Sequence, residues 1–217
     1  MHRSLIAGAA AAAALVFAVP AAAEPFNGFF VGAQGGWQGD RYSGDVTVVT
    51  PPGGETLPGV SLFRLSENAS GFAGGIFIGA DGRVSEQFVI GGEVGVNWGG
   101  GSIDLNPFGP RSEFETRRTI DVTARAGVLA TPQTLIYARG GYSNARYRLL
   151  IGNTGQAENR DGWTLGAGVE QAFSQNVTGR IEYRYSDYGR DRAVDPVGTV
   201  SAKATRNQVM AGVAFHF

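Results

Sequence analysis

The stretch from Val177 to Tyr188, reading Val-Thr-Gly-Arg-Ile-Glu-Tyr-Arg-Tyr-Ser-Asp-Tyr, has two faces that cannot share one environment. Successive side chains of an extended strand point to opposite sides. Val177, Gly179, Ile181, Tyr183 and Tyr185 therefore line one face, and Thr178, Arg180, Glu182, Arg184 and Ser186 line the other. The second face is too charged for an ordinary apolar core. Two folds accommodate it: a soluble sheet with its charged face in water, or a membrane barrel with its apolar face in lipid and its charges inside.

The same alternation recurs and predicts eight strands. Phe29, Val31, Ala33, Gly35 and Trp37 share a face opposite Phe30, Gly32, Gln34 and Gly36. Phe72, Gly74, Ile76, Ile78 and Ala80 form the apolar face of a second segment, with a turn expected at Asp81-Gly82. The third sets Phe88, Ile90, Val94, Val96 and Trp98 against Glu93 and Asn97, and the fourth sets Ile120, Val122, Ala124, Ala126 and Val128 against Thr119, Asp121, Thr123 and Arg125. After a turn at 130–133, Ile136, Ala138, Gly140 and Tyr142 oppose Tyr137, Arg139, Gly141 and Ser143. The sixth segment sets Trp163, Leu165, Ala167, Val169 and Phe173 against Thr164, Gly166, Gly168 and Glu170. The opening stretch is the seventh, and the eighth sets Val209, Ala211, Val213, Phe215 and Phe217 against Arg206, Gln208, Gly212 and His216.

Each segment has about the 9 to 11 residues that a tilted strand needs to cross a bilayer, and eight is the smallest even set that closes in a bacterial outer membrane. Connections after the first, third, fifth and seventh segments are long and polar, and the others are short, as external loops and periplasmic turns require. Residues 1–23 read as a signal peptide: His2 and Arg3 precede an apolar run from Leu5 to Val19, and Ala21-Ala22-Ala23 supplies a cleavage site. That run is short of the roughly 20 residues of a membrane helix. The expected fold is thus all-β, an eight-stranded antiparallel up-and-down transmembrane β-barrel over residues 24–217 with four long external loops. The 217 residues include no Cys, so no disulfide staples it, and a net charge of -1 gives no reason to expect nucleic acid.

A second pattern bears on the choice of surround. With the first strand rising from the periplasm, Trp37, Trp98 and Trp163 fall in an external girdle and Phe29, Phe88, Phe173, Phe215 and Phe217 in a periplasmic one. Two aromatic bands around aliphatic centres mark a transmembrane barrel. Inward charges then collect as Glu93, Asp121, Glu170 and Glu182 against Arg125, Arg139, Arg180, Arg184 and Arg206. A lumen this narrow holds little beyond its own side chains, so these groups are expected to pair as a polar plug. A gated ion path is the alternative.

No catalytic, metal or cofactor site is expected. His216 is the only His beyond the signal segment, it stands one residue from the terminus, and no base and nucleophile cluster with it at the external rim. Glu113 and Glu115 read as a solvated loop face. Arg41, Arg117, Arg118, Arg146, Arg148, Arg190 and Arg192 are expected near the external rim, either facing lipid phosphates or balanced locally by Asp40, Asp187 and Asp191.

Gly28-Phe29-Phe30-Val31-Gly32, the run from Gly162 to Glu170, the run from Gly179 to Tyr185 with Asp187-Tyr188-Gly189, and the terminal Phe217 resemble the small outer-membrane barrel proteins of alphaproteobacteria, a porin-like family that includes major surface antigens. The resemblance implies an outer-membrane location and non-enzymatic roles in envelope integrity and surface interaction. A small-solute channel and haem binding are alternatives; haem would find only Tyr42, Tyr147 and Tyr188 as ligands. The implied partners are outer-membrane lipid and lipopolysaccharide, the barrel assembly machinery reading Phe217, and an external or host ligand reached through the loops, with a monomer expected.

Overall fold

The structure, a computed structural model, describes residues 25–48, 60–99, 102–104, 112–151, 154–195 and 198–217, with the side chains of 45–48, 60–66, 102–104, 112–117, 148–151, 154–157, 191–195 and 198–200 outside that description. The signal segment expected over 1–23 also lies outside the described residues. The strands are β1 Gly28–Val48, β2 Val60–Arg83, β3 Phe88–Gly99, β4 Ser102–Asp104, β5 Ser112–Thr131, β6 Thr134–Ile151, β7 Thr154–Ala172, β8 Val177–Asp195 and β9 Gly198–His216. The three residues of β4 pair with β5, placing Ser102 opposite Glu115, beyond the end of β3 at Gly99. Gly99 has a φ of 94°, a left-handed conformation that glycine adopts without penalty.

The eight long strands form one closed antiparallel barrel. Each pairs with its neighbour in the chain, β1 pairs with β9, and β3 pairs with β5. The seam between first and last strands is continuous: Val31 stands opposite Ile78 on one side and Phe215 on the other. The Phe217 amide donates to the Phe29 carbonyl at 2.9 Å, carrying the seam to the last residue. Closure satisfies the backbone groups that an open edge would present to lipid.

Hydroxyl side chains organise the three short turns in the same manner. Ser85 Oγ accepts from the Phe88 amide at 3.2 Å, Ser174 Oγ from the Val177 amide at 3.1 Å, and Thr131 Oγ1 from the Gln133 amide at 3.2 Å. Local hydroxyl-to-backbone bonds of this kind favour tight turns over further ladder. The turn expected at Asp81-Gly82 is not there. Both residues continue β2, opposite Gly91 and Ile90, and the chain reverses over 84–87. Asp81 reads as a turn former because its partner, Arg125, is 44 residues away in sequence.

Most strands also outrun the segments read from alternation. At about 3.3 Å per residue and a tilt near 40°, roughly ten residues cross an apolar band of about 25 Å. β1 has 21 residues, β2 has 24 and β5 has 20. The surplus lies away from the short turns, where water bathes the outside and the apolar alternation stops. Much of the expected external loop is therefore paired strand: β6 ends at Ile151 and β7 begins at Thr154, while β8 ends at Asp195 and β9 begins at Gly198.

The alternating faces are those of a barrel turned inside out relative to a soluble domain. Ile76, Leu165, Val213 and Ile181 are more than half exposed on the outside, while Arg184, Arg206, Glu170 and Glu182 are fully buried within. An apolar wall of this extent needs lipid. Of the residues expected in girdles, Trp37, Trp98 and Trp163 stand exposed on the side remote from the short turns, Trp163 opposite Tyr142 and Trp37 opposite Phe72. Phe88, Phe173, Phe215 and Phe217 stand exposed at the turn side, and Phe29 is half-buried beside them.

Apolar layers lie toward both ends of the lumen. At the turn side Phe26, with a φ of 62°, inserts a fully buried ring among Val89, Leu129, Leu135, Tyr137 and Ala172. Just above, Phe30 faces Gly79 and Phe77 faces Gly32 as reciprocal cross-strand pairs, the two rings 6.1 Å apart. A Cβ on either glycine would collide with the opposing ring. Toward the outer end Tyr147 and Tyr188 pack with Ala145 and Ala204, and Tyr42 leans on them.

Candidate functional site

The middle of the lumen holds a layered network of charges. In the layer nearest the turns, Arg125 donates from Nε to Asp81 Oδ1 at 2.7 Å and from Nη1 to Glu170 Oε2 at 2.8 Å. Glu170 Oε1 accepts from Thr178 Oγ1 at 2.6 Å, and His216 Nε2 lies 3.1 Å from that hydroxyl. His216 Nδ1 makes no hydrogen bond and the ring contacts Phe30 and Phe26, which fits the tautomer protonated at Nε2. Thr178, His216 and Glu170 have the composition of a nucleophile, base and orienting acid. Their geometry is different: Thr178 donates to the carboxylate itself, and all three side chains are sealed from solvent.

The next layer is built on Glu93 and Glu182. Arg139 Nη1 and Arg180 Nη1 donate to opposite oxygens of Glu93, at 2.8 and 2.5 Å. Glu182 accepts from Tyr137 Oη at 2.6 Å, from Arg139 and from Arg184 Nε. Gln34 Oε1 accepts from both Arg180, at 2.9 Å, and Arg184, at 2.7 Å, so a neutral side chain separates the two cations. Arg180 also lies 3.6 Å over the Phe77 ring, where the cation meets the negative face.

From Gln34 the chain of bonds rises through Asn97 to Asp121, then Ser143 and Tyr188. It ends on Arg206, which binds Asp40 Oδ1 at 2.6 Å and Thr119 Oγ1 at 2.5 Å. All nine residues read from the sequence as lumen charges are buried here. Asp40 and Asp81 join them, making six acids, Asp40, Asp81, Glu93, Asp121, Glu170 and Glu182, against five arginines, a formal difference of -1. Both omissions were accessible: Asp40 continues the inward parity of Gln34 and Gln38, and Asp81 that of Phe77 and Gly79. Asp40 is thus a lumen partner of Arg206 and not a surface counter-charge for the rim.

Chemically, the network commits its charges to one another. Nearly every donor and acceptor is engaged, which is what makes so many ionised groups tolerable in a medium of low dielectric. Arg139 Nε is buried without a hydrogen bond. Tyr147 and Tyr188, considered as external ligands, are buried edge-to-face in the lumen with centroids 6.1 Å apart, and Tyr42 packs on Tyr147 at 6.2 Å. They line the vestibule and do not project from loops.

The rim is basic on its outward side. Arg41, Arg118, Arg146 and Arg190 are exposed. Arg41 Nε reaches Asn68 Oδ1 at 3.3 Å, and Lys203 Nζ lies 2.8 Å from Asp187 Oδ2, a hydrogen bond that raises the ammonium above its usual range. The side chains of Arg117, Arg148, Arg192, Asp191, Glu113 and Glu115 lie outside the described residues.

Residues 9–217 match the family model for the outer membrane protein beta-barrel domain. The 31 kDa outer-membrane immunogenic protein of Brucella melitensis is 28% identical over 213 residues, covering 92% of this chain and 87% of that protein. The 22 kDa outer membrane protein of Rhizobium leguminosarum is 28% identical over 166 residues, covering 76% and 75%. Among solved structures, Neisserial surface protein A superposes with a TM-score of 0.45 at 20% identity, over 88% of this chain and 98% of that one.

Proposed function

The chain belongs to the outer membrane protein beta-barrel domain family and resides in the outer membrane of a Gram-negative cell, and from that premise we propose that it works without catalysis, as an envelope and surface-interaction protein whose wall meets outer-membrane lipid and lipopolysaccharide. The observation that carries this reading is the filled lumen. With Arg125, Arg139, Arg180, Arg184 and Arg206 all engaged inside, the groups left for partners are those on the lipid wall and on the outer strand extensions. Those extensions offer paired backbone above the external girdle, a suitable platform for an external or host ligand. As a surface-displayed protein it is also an antigen, like the relatives whose names call them immunogenic. Phe217, which follows the strand that completes the seam and bonds the Phe29 carbonyl, is read by the barrel assembly machinery, and the closed ladder needs no second copy.

The test is a binding and adhesion comparison between the intact protein and variants in which the residues linking β1 to β2 and β4 to β5 are replaced by tight turns and the outer extensions of β6 with β7 and of β8 with β9 are cut back toward the girdle. Loss of binding with retained folding supports surface interaction. Unchanged binding would remove that reading and leave the barrel as it stands.

A further inference from the structure

Arg118 of β5 and Arg146 of β6 stand directly opposite each other in the ladder, both exposed on the outward face. Like charges in directly opposed positions repel and destabilise a strand pair. Two other rim cations have a partner: Lys203, which stands opposite Arg190, has Asp187, and Arg41 has Asn68. Among the described residues no hydrogen bond or ion pair joins Arg118 or Arg146 to a carboxylate, and the residue opposite Arg146 on β7 is the neutral Asn159. On the neighbouring strand β7, Asp161, which shares the outward face, is engaged with Asn144 Nδ2 at 2.7 Å and with Tyr142, while Glu158 stands opposite Tyr147 on the other parity.

Two further observations mark this rung. The β5–β6 register shifts between Thr116 and Arg118, so Arg117 is an inserted residue beside the pair. Bulges at barrel rims re-aim side chains and recur at functional positions. On the other side of β5, Arg118 stands opposite Trp98, which is 47% exposed in the external girdle. The girdle lies at headgroup level, the height at which lipid phosphates are found.

We propose that Arg118 and Arg146, flanked by Trp98, form a binding site for a phosphate carried on the headgroup of the outer-leaflet glycolipid, lipopolysaccharide. One phosphate placed between the two guanidinium forks converts a repulsive pair into two charge-assisted contacts. Trp98 contributes an apolar flank for the adjoining acyl and sugar region. The site deepens the reading that the wall meets lipopolysaccharide, and rests on it.

The test uses the refolded protein in detergent micelles, with diphosphorylated lipid A, its dephosphorylated counterpart and inorganic phosphate as probes, and binding followed by native mass spectrometry. Arg118→Gln/Arg146→Gln is compared with Arg41→Gln, and folding of each is checked by heat-dependent gel mobility. Diphosphorylated lipid A should bind the parent and the Arg41→Gln protein alike and the double variant about tenfold more weakly, the scale expected for losing charge-assisted contacts. Dephosphorylated lipid should bind the parent and the double variant equally weakly, and inorganic phosphate should not displace lipid A. Equal lipid A binding by the parent and the folded double variant overturns the pair and spares the wider reading. Failure of the parent to bind lipid A overturns both. Displacement by inorganic phosphate at equal concentration overturns the lipid as the source of the anion.

Discussion

Arg125 on β5 meets Asp81 on β2 edge to edge in the lumen, with Nε 2.7 Å from Oδ1 and Nη2 bonded to Oδ2. β3 lies between those strands in the ladder, so the pair is a strut between strands that share no backbone bonds. The remaining Nη1 ties in Glu170 of β7, and the three side chains are sealed from solvent.

Removing one partner of a buried ion pair strands the other charge in a low dielectric. Asp81→Ala should destabilise the barrel by about 3 kcal/mol, measured by urea unfolding in lipid vesicles. Asp81→Asn, which keeps an acceptor for Arg125, should lose less. A loss below about 1 kcal/mol for the alanine variant, the range of exposed pairs, would show that the strut does not form.

Phe26 closes the turn-side mouth with a ring at 0% exposure. Phe26→Ala should cost about 3 kcal/mol through the cavity it leaves among Leu129, Leu135 and Tyr137, while Phe26→Leu should cost less than about 1.5. Equal unfolding midpoints for parent and alanine variant would place the ring outside the lumen.

Ile181 lies on the outward face of β8 between the turn at 174–176 and Asp187, which stands opposite the girdle residue Trp163, and is 66% exposed. In a bilayer Ile181→Arg should cost about 2 to 4 kcal/mol, the range for a cation near the midplane of a barrel's lipid face. On a soluble sheet the same exposed position would tolerate arginine, so a neutral result in vesicles would argue against the lipid surround.

Gly32 leaves room for the Phe77 ring, which an added Cβ would strike. Gly32→Val should therefore destabilise by about 1 to 3 kcal/mol through overpacking. Pairing it with Phe77→Ala should recover part of that loss, because the two side chains then compete for one space. Additive losses in the double variant would mean that the clash is with the backbone alone.

Within the bilayer the fold was legible because lipid outside and charge inside enforce strict alternation, and every segment kept its parity from Phe29 to Phe217. Above the girdle water lies on both sides, the alternation relaxes, and strand becomes indistinguishable from loop; hence the hidden outer halves of β1 and β2. Lumen charges were legible as inward residues, but their partners were not. Which arginine meets which acid depends on strand stagger, as when Arg180 reaches Glu93 across 87 positions of sequence. Asp81 was obscured by the glycine after it, and Phe26 by standing before the first alternating segment. The vestibule tyrosines looked like loop residues for the same reason as the strand extensions that carry them.

A lumen filled among the described residues from Phe26 to Arg206 by packed rings and mutually bonded charges should hold no continuous water path, and planar-bilayer recording measures that property directly. The purified protein, inserted and shown to be folded, should give no steady conductance above the bare membrane over a range of salt and voltage. Reproducible, protein-dependent open-channel steps in the parent protein would contradict the plugged barrel.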